Sequence, residues 1–344
     1  MNTNQKILFF GAGAIGGSVA SWVGAKHGEV YVFDRPDIVK AVSEKGISTY
    51  LEGNRDRADN VKVKVIEDIS RVKEFDVIVV GVKNYSLDAV SAEIKKHAGD
   101  RPIIIAMQNG AENQAILPKH FSKVIYCVIG YNAWMDEPGV IGYQKKGPLI
   151  FGTRNNELMS EMKELAAIFS RGVETVVVDH LQDAVHSKII INLTNSLTTL
   201  IGHNVKPVSD EALFQKVLTN LLLEGVKIAR ASGYDQCRIG GMPSWGLIWA
   251  GAKLPRLFTK AMFRRNARKM VMSSMAQDII QRGGHESELE NINGYFLKLA
   301  ETHGVDAPFN RAVYDLCRRE FAKSKFQPVD IHVVWEEVKR LAGQ

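Results

Sequence analysis

The sequence contains no run approaching the roughly 18 apolar residues that a membrane-spanning helix needs, so a helical integral membrane protein is excluded. Cysteine is scarce. Cys127, Cys237 and Cys317 are odd in number, far apart and fit no metal-ligand spacing. This excludes a disulfide-stapled domain and a cysteine-ligated metal site, and it fits reduced thiols in a cytoplasmic protein. No metal site is expected. Internal repeats, low-complexity tracts and Ser/Gly-rich linkers are also lacking. From Cys237 to Gln277 acidic residues are missing altogether, against eight basic ones (Arg238, Lys253, Arg256, Lys260, Arg264, Arg265, Arg268, Lys269). The net charge of +6 therefore arises in one segment, with a nearly neutral remainder. Such an excess describes a face; with a nearly neutral remainder and no recognisable binding module, a nucleic-acid- or membrane-binding protein that uses this segment is the disfavoured rival, and no nucleic-acid partner is expected.

The chain has 344 residues, 45% of them hydrophobic and 24% charged, an ordinary globular mixture long enough for two domains. Its start, MNTNQKILFFGAGAIGG, reads as a first β-strand; cleavage as a signal peptide would discard the glycine motif. Strands are predicted over 6–10, 29–34, 76–82, 102–107, 123–129, 149–152 and 174–179. Several are continuously apolar, as strands covered on both faces should be. Helical stretches fit between many of them, and Pro138-Gly139 and Gly147-Pro148 bracket a short antiparallel hairpin. After about residue 181 only helices are predicted: 182–200, 209–232, 266–282, 285–303, 307–325 and 331–342. The fold class is thus α/β, a Rossmann-type doubly wound sheet in a dinucleotide-binding domain (residues 1–180), followed by an all-helical substrate and catalytic domain (residues 181–344).

Gly11-Ala12-Gly13-Ala14-Ile15-Gly16 lies directly after a strand and before a helix. In that setting Gly11 allows the tight turn, Gly13 lets the backbone approach a pyrophosphate, and Gly16 packs helix against strand. Asp34 ends the second strand, where an acidic residue accepts from the ribose hydroxyls of NAD(H). Arg35, beside it, suits the 2′-phosphate of NADP(H). Lys83 and Asn109 sit in loops at the C-terminal ends of strands, where doubly wound sheets place ligands. In HSKIIINLTNSLTTL, Lys188, Asn192 and Asn195 or Ser196 form one polar stripe on an otherwise apolar helix. A buried stripe must find partners or face a cleft; it is either a ladder of structural hydrogen bonds or a site. Burial would bring the lysine pKa down towards neutrality, which suits an acid/base group.

Taken together, GAGAIGG, VKNYSLDA, AMQNGAEN, KIIINLTNSL, SSMAQD and ELENINGYFLKLAETHGVDAP, in this order and spacing, resemble the ketopantoate reductase (2-dehydropantoate 2-reductase) family over nearly the whole chain. The resemblance implies a helical domain of the 6-phosphogluconate dehydrogenase type. It also implies reduction of a 2-oxo acid, 2-dehydropantoate to pantoate in pantothenate biosynthesis, with hydride from NAD(P)H, NADP(H) being favoured and NAD(H) kept open by Asp34. Lys188 matches the family's proton-donating lysine and Glu288 the glutamate that binds the substrate hydroxyl and orients the site. Asn192 matches an asparagine that holds the substrate, Ser274 a serine on its carboxylate, and Asn109 and Lys83 the loop residues near the nicotinamide and ligand.

The sequence departs from the family pattern in four places. Ser196 stands where a second asparagine is common, with Asn195 beside it. Two extra residues lie between Ser274 and Glu288. Asp34 precedes Arg35, and the basic segment before Ser274 is long. That segment is expected to draw anionic ligands to the cleft, with Trp245, Leu247, Ile248 and Trp249 forming a lid edge or subunit contact, the latter in a homodimer. Alternative readings are a reductase for a related 2-oxo acid, an opine- or imine-forming reductase, and a non-catalytic NAD(P)H sensor. The expected partner is a small-molecule 2-oxo acid.

Overall fold

The computed structural model describes residues 4–238, 240–281, 283–284 and 287–343. In chain order the strands are β1 (Ile7–Phe10), β2 (Val30–Phe33), β3 (Ile47–Leu51), β4 (Asp59–Val61), β5 (Lys64–Val65), β6 (Val77–Val80), β7 (Ile103–Ala106), β8 (Val124–Ile129), β9 (Ala133–Glu137), β10 (Val140–Tyr143), β11 (Leu149–Gly152) and β12 (Thr175–Val177). The helices of the first half are α1 (Ala14–Gly24), α2 (Pro36–Lys45), α3 (Asn84–Ala98), α4 (Asn113–Ile116) and α5 (Met159–Ser170). Then follow α6 (Leu181–Ile201), α7 (Glu211–Ala231), α8 (Trp245–Lys253), α9 (Arg256–Ala267), α10 (Ser274–Ala276), α11 (Tyr295–Thr302), α12 (Pro308–Phe321) and α13 (Ile331–Leu341). The chain divides into two compact units, Met1–Val185 and His186–Gln344, and the division falls inside α6.

The first unit is built on an eight-stranded sheet in the order β12-β11-β8-β7-β6-β1-β2-β5. Its pairings are parallel except that of β11 with β8. The strands ILFF, VIVV and VIYCVI are buried along their whole length, as a sheet covered on both faces requires. The seven strands read from the sequence are all present.

A second sheet, β4-β3-β10-β9, is not foreshadowed by the sequence reading; the expected hairpin between Pro138-Gly139 and Gly147-Pro148 lies one strand earlier, with Pro138-Gly139 as the turn between β9 and β10. Helix α1 contacts strands of both sheets. This explains why AIGGSVASWVG is buried almost all round and carries no polar face. Ser18, buried in that helix, donates to the Ala14 carbonyl at 2.7 Å and shares a 2.8 Å hydrogen bond with the Tyr131 hydroxyl. Trp22 packs against the rings of Tyr131 and Tyr143, 5.2 and 5.0 Å away.

In the second unit α7 contacts α8, α11, α12 and α13. Gly225 of α7 permits a close approach to α6, since a Cβ there would lie 2.7 Å from Leu193 Cδ1. The expected helix over 266–282 is broken. Helix α9 ends at Ala267, residues 270–273 are irregular, and α10 leads into a π-helical turn over Gln277–Gln281. A second π turn, Glu290–Gly294, precedes α11. Part of the stretch holding the two extra residues, Arg282, His285 and Glu286, lies outside the described residues.

Candidate active site

In the first unit the chain order reverses between β1 and β6, which pair directly, so the ends of these strands form the topological switch point. Gly11 leaves β1 with φ +101°, a conformation costly for any residue with a Cβ. A Cβ on Gly16 would lie 2.0 Å from the Gly11 carbonyl oxygen and one on Gly81 2.6 Å from it, so strand, loop and helix meet backbone to backbone. Gly13 is different. It is the N-cap of α1, no side chain caps that end, and a Cβ there would meet nothing within 4 Å. The first N–H groups of α1 therefore face open space beside a glycine, a cradle that fits a dinucleotide pyrophosphate. Ala12, Ala14 and Ile15 complete this loop.

The Asp34 carboxylate accepts the Ala12 N–H at 2.5 Å through one oxygen and the Arg35 N–H at 2.7 Å through the other. It braces the glycine loop from the end of β2, at the place where a ribose would lie. Arg35 is exposed and pairs with Asp37 at 3.5 Å. Lys83 is the N-cap of α3, just past β6, and Asn109 follows β7. Their loops are tied by two buried side chains that sequence reasoning did not single out. Asn84 donates to the Asn109 carbonyl at 2.8 Å, and Gln108 donates to the Val80 and Val82 carbonyls at 2.8 and 3.0 Å. The only signal for them was their place at strand ends.

In the second unit α6 buries Ile189, Ile190, Leu193, Leu197 and Leu200 completely. Its hydroxyls turn back onto its own carbonyls: Thr194 to Ile191, Ser196 to Leu193, Thr198 to Thr194 and Thr199 to Asn195. Lys188 and Asn192 do not follow this pattern. They are 9% and 6% exposed, one turn apart, and neither side chain hydrogen-bonds to any described residue. Burial pushes the Lys188 ammonium down to about 8, opposed by the negative charge of Glu288. Asn195 is half-buried in the same stripe. Ser196 is placed differently: it is fully buried, and its hydroxyl also accepts from Asn293 Nδ2 at 2.9 Å.

Ser274 opens α10, and its neighbour Ser273 caps that turn by accepting the Ala276 N–H and lies 3.4 Å from the Thr199 hydroxyl of α6. Glu288 is half-buried immediately before the second π turn. Lys188, Glu288 and Ser274 thus belong to one unit, and Lys188 and Glu288 are electrostatically coupled. Sequence reasoning missed the aromatic wall around His186. That fully buried ring stacks on Tyr234 with centroids 3.7 Å apart and shares a 2.9 Å hydrogen bond with the Tyr295 hydroxyl. The clue was a histidine two residues before the lysine on an apolar helix.

With this geometry established, similarity to known proteins becomes informative. The sequence model described as ketopantoate reductase PanE/ApbA matches residues 7–156, and that of the ketopantoate reductase PanE/ApbA C terminal matches residues 180–320. A 2-dehydropantoate 2-reductase of Pyrococcus abyssi is 26% identical over 317 residues, spanning 91% of this chain and 97% of the relative. The crystal structure of a PanE/ApbA family ketopantoate reductase from Ralstonia eutropha JMP134 has a TM-score of 0.71 at 25% identity, covering 92% of this chain and 99% of that one. D-mandelate dehydrogenase, solved with NADH and anilino(oxo)acetate, has a TM-score of 0.75 at 19% identity, covering 93% and 99%, and so shares the fold. Matched in both halves, this chain belongs to the ketopantoate reductase family, NAD(P)-dependent oxidoreductases acting on CH–OH groups.

Proposed function

We propose that this enzyme reduces 2-dehydropantoate to pantoate, with NADPH preferred over NADH, as a step of pantothenate biosynthesis in the cytoplasm. One observation carries the reading: on a helix whose hydroxyls are all hydrogen-bonded, Lys188 and Asn192 are buried with no side-chain hydrogen bond to a described residue, and Lys188 has only the charge of Glu288 opposite it. Polar groups left so are costly unless a ligand completes them. The first-unit loop Gly11–Gly16, with Asp34, Arg35, Lys83 and Asn109, would hold the dinucleotide, which when bound supplies the hydride.

Lys188 keeps its proton up to about pH 8 and gives it to the carbonyl oxygen of the 2-oxo acid as the alcohol forms. Asn192 and Asn195 hold the substrate from the same helix, and Ser274 donates to its carboxylate. Glu288 accepts from the substrate hydroxyl and, by its charge, favours the protonated lysine. Ser196 backs this stripe from inside the core. NADPH is favoured by the exposed Arg35 guanidinium, while Asp34 is occupied with the Ala12 N–H. A homodimer belongs to the same reading.

The test is a spectrophotometric screen of NADPH and NADH oxidation against a panel of 2-oxo acids, with and without added amine. Fastest turnover with 2-dehydropantoate and NADPH supports the proposal. Turnover that needs the amine assigns an opine- or imine-forming reductase. A better 2-oxo acid reassigns the substrate, and binding of NADPH without turnover of any acid makes the protein a sensor.

A further inference from the structure

The basic segment is more than an excess of charge. Helix α8 buries Trp245 and Ile248, and α9 buries Thr259 and Phe263, so each has one face on the protein. The other face is unusual. Leu254, between the helices, is 45% exposed, and Leu257 and Phe258, at the start of α9, are 86% and 73% exposed. Leu247 and Trp249 of α8 are exposed as well. Along α9 the positions Leu257, Ala261, Arg264 and Arg268 follow one line at helical spacing, with Phe258 and Arg265 on the next. The outward face therefore begins apolar, beside the α8–α9 turn, and ends cationic.

Glu211 holds Arg264 with two hydrogen bonds of 2.6 and 2.8 Å and Arg256 at 3.6 Å. Among the described residues Lys253, Lys260, Arg265 and Arg268 form no ion pair. Leu257, Lys260, Ala261, Arg264, Arg265 and Arg268 border an open groove of about 650 Å³.

We propose that the α8–α9 hairpin is a docking surface for an anionic phospholipid bilayer, with Leu254, Leu257 and Phe258 entering the headgroup boundary and Lys260, Arg265 and Arg268 meeting lipid phosphates. The chemistry selects this occupant. An apolar tip followed by cations, with tryptophan nearby, is the arrangement of interfacial helices, which lie on a bilayer without crossing it. No helix among the described residues is long and apolar enough to cross one. A second copy meeting this face would bring two net-positive surfaces together, a repulsion that an anionic bilayer does not carry. A nucleic-acid backbone would satisfy the cations but leave the leucines and Phe258 in water.

The test is co-sedimentation of the full chain with vesicles of phosphatidylcholine alone or with added phosphatidylglycerol, at low and high salt. The protein should pellet with the anionic vesicles and not with the neutral ones. L257S/F258S should abolish pelleting. K260Q/R265Q/R268Q should lower the partition by about 10²-fold, since each cation near an anionic surface contributes about fivefold, and salt should mimic the loss. Circular dichroism and kcat at saturating substrate verify that both variants remain folded. Three results would overturn the proposal: no pelleting with anionic vesicles, equal pelleting with neutral ones, or pelleting that both variants retain. A dimer in sedimentation velocity that L257S/F258S dissociates, together with no vesicle binding, would assign the face to a second copy instead.

Discussion

Replacing Lys188 by methionine should make the protein more stable at neutral pH while removing its activity. Methionine keeps the unbranched stem of the lysine but no charge, so packing on α6 changes little. The displacement of the ammonium from its ordinary 10.5 to about 8 is caused by burial. At about 1.36 kcal/mol per pH unit, this corresponds to about 3 kcal/mol of destabilisation that the native chain carries. The sign follows from proton linkage. Below pH 8 the lysine is charged in both the folded and the unfolded chain, and the whole penalty is present. Between about 8 and 10.5 the folded protein gives up its proton first, the unfolded state binds more protons, and native stability rises with pH. Above 10.5 the penalty is gone.

Urea unfolding of both proteins at pH 7 and at alkaline pH measures this directly. The variant should have the higher midpoint at pH 7 with an unchanged slope, and its advantage should shrink across the alkaline window. Its kcat should fall by about 10²–10⁴, the usual cost of losing a positioned general acid. A variant no more stable than the native protein at pH 7, or one whose advantage ignores pH, would show that Lys188 is not held charged against its environment.

The remaining predictions concern the groups around it. For the native enzyme kcat should decline as pH rises through about 8, when Lys188 loses its proton; in Glu288→Gln this limb should shift to lower pH, because the opposing negative charge is gone. A limb unmoved in that variant would uncouple the two residues. Glu288→Gln should also slow a 4-hydroxylated 2-oxo acid more than one lacking the hydroxyl, and equal losses would make Glu288 structural. Asp34→Asn keeps an acceptor for the Ala12 N–H but drops the charge, so the NADPH:NADH ratio of kcat/KM should rise by about tenfold, the effect of roughly 1.4 kcal/mol; a constant ratio would place Asp34 out of reach of the ribose. Gly16→Ala drives a methyl group to 2.0 Å from the Gly11 oxygen and should cost about 1–3 kcal/mol or more together with loss of NADPH binding, followed by thermal melts with and without cofactor.

The doubly wound sheet was legible because its strands are continuous apolar runs of a kind that only burial on both faces explains, and because the glycine loop fixes where the first crossover begins. The second sheet was not legible. Its strands ISTYL and DNV are short and partly exposed, and β3 finds its partner β10 some ninety residues away, a pairing that no local period announces. In the helical half, the polar stripe on α6 was visible as spacing, but the division of labour within it was not. Whether a hydroxyl such as Ser196 turns back to its own helix or outward depends on the neighbour it meets, here Asn293 from ninety-seven residues later. The break before Ser274 escaped notice because Met-Val-Met-Ser reads as helix by composition, whereas the structure caps a new turn with Ser273. In the α8–α9 hairpin the basic residues and the apolar group Trp245 to Trp249 were legible; the exposure of Leu254, Leu257 and Phe258 is a tertiary fact.

The buried contact between Ser196 and Asn293 makes the two positions depend on each other under substitution. Neither side chain of the pair has any exposure, and Asn293 already fills the space opposite the serine hydroxyl. Placing asparagine at 196 alone would force two amides into the volume of one amide and one hydroxyl. A double-mutant cycle between Ser196→Asn and Asn293→Ser should therefore return a coupling well outside additivity.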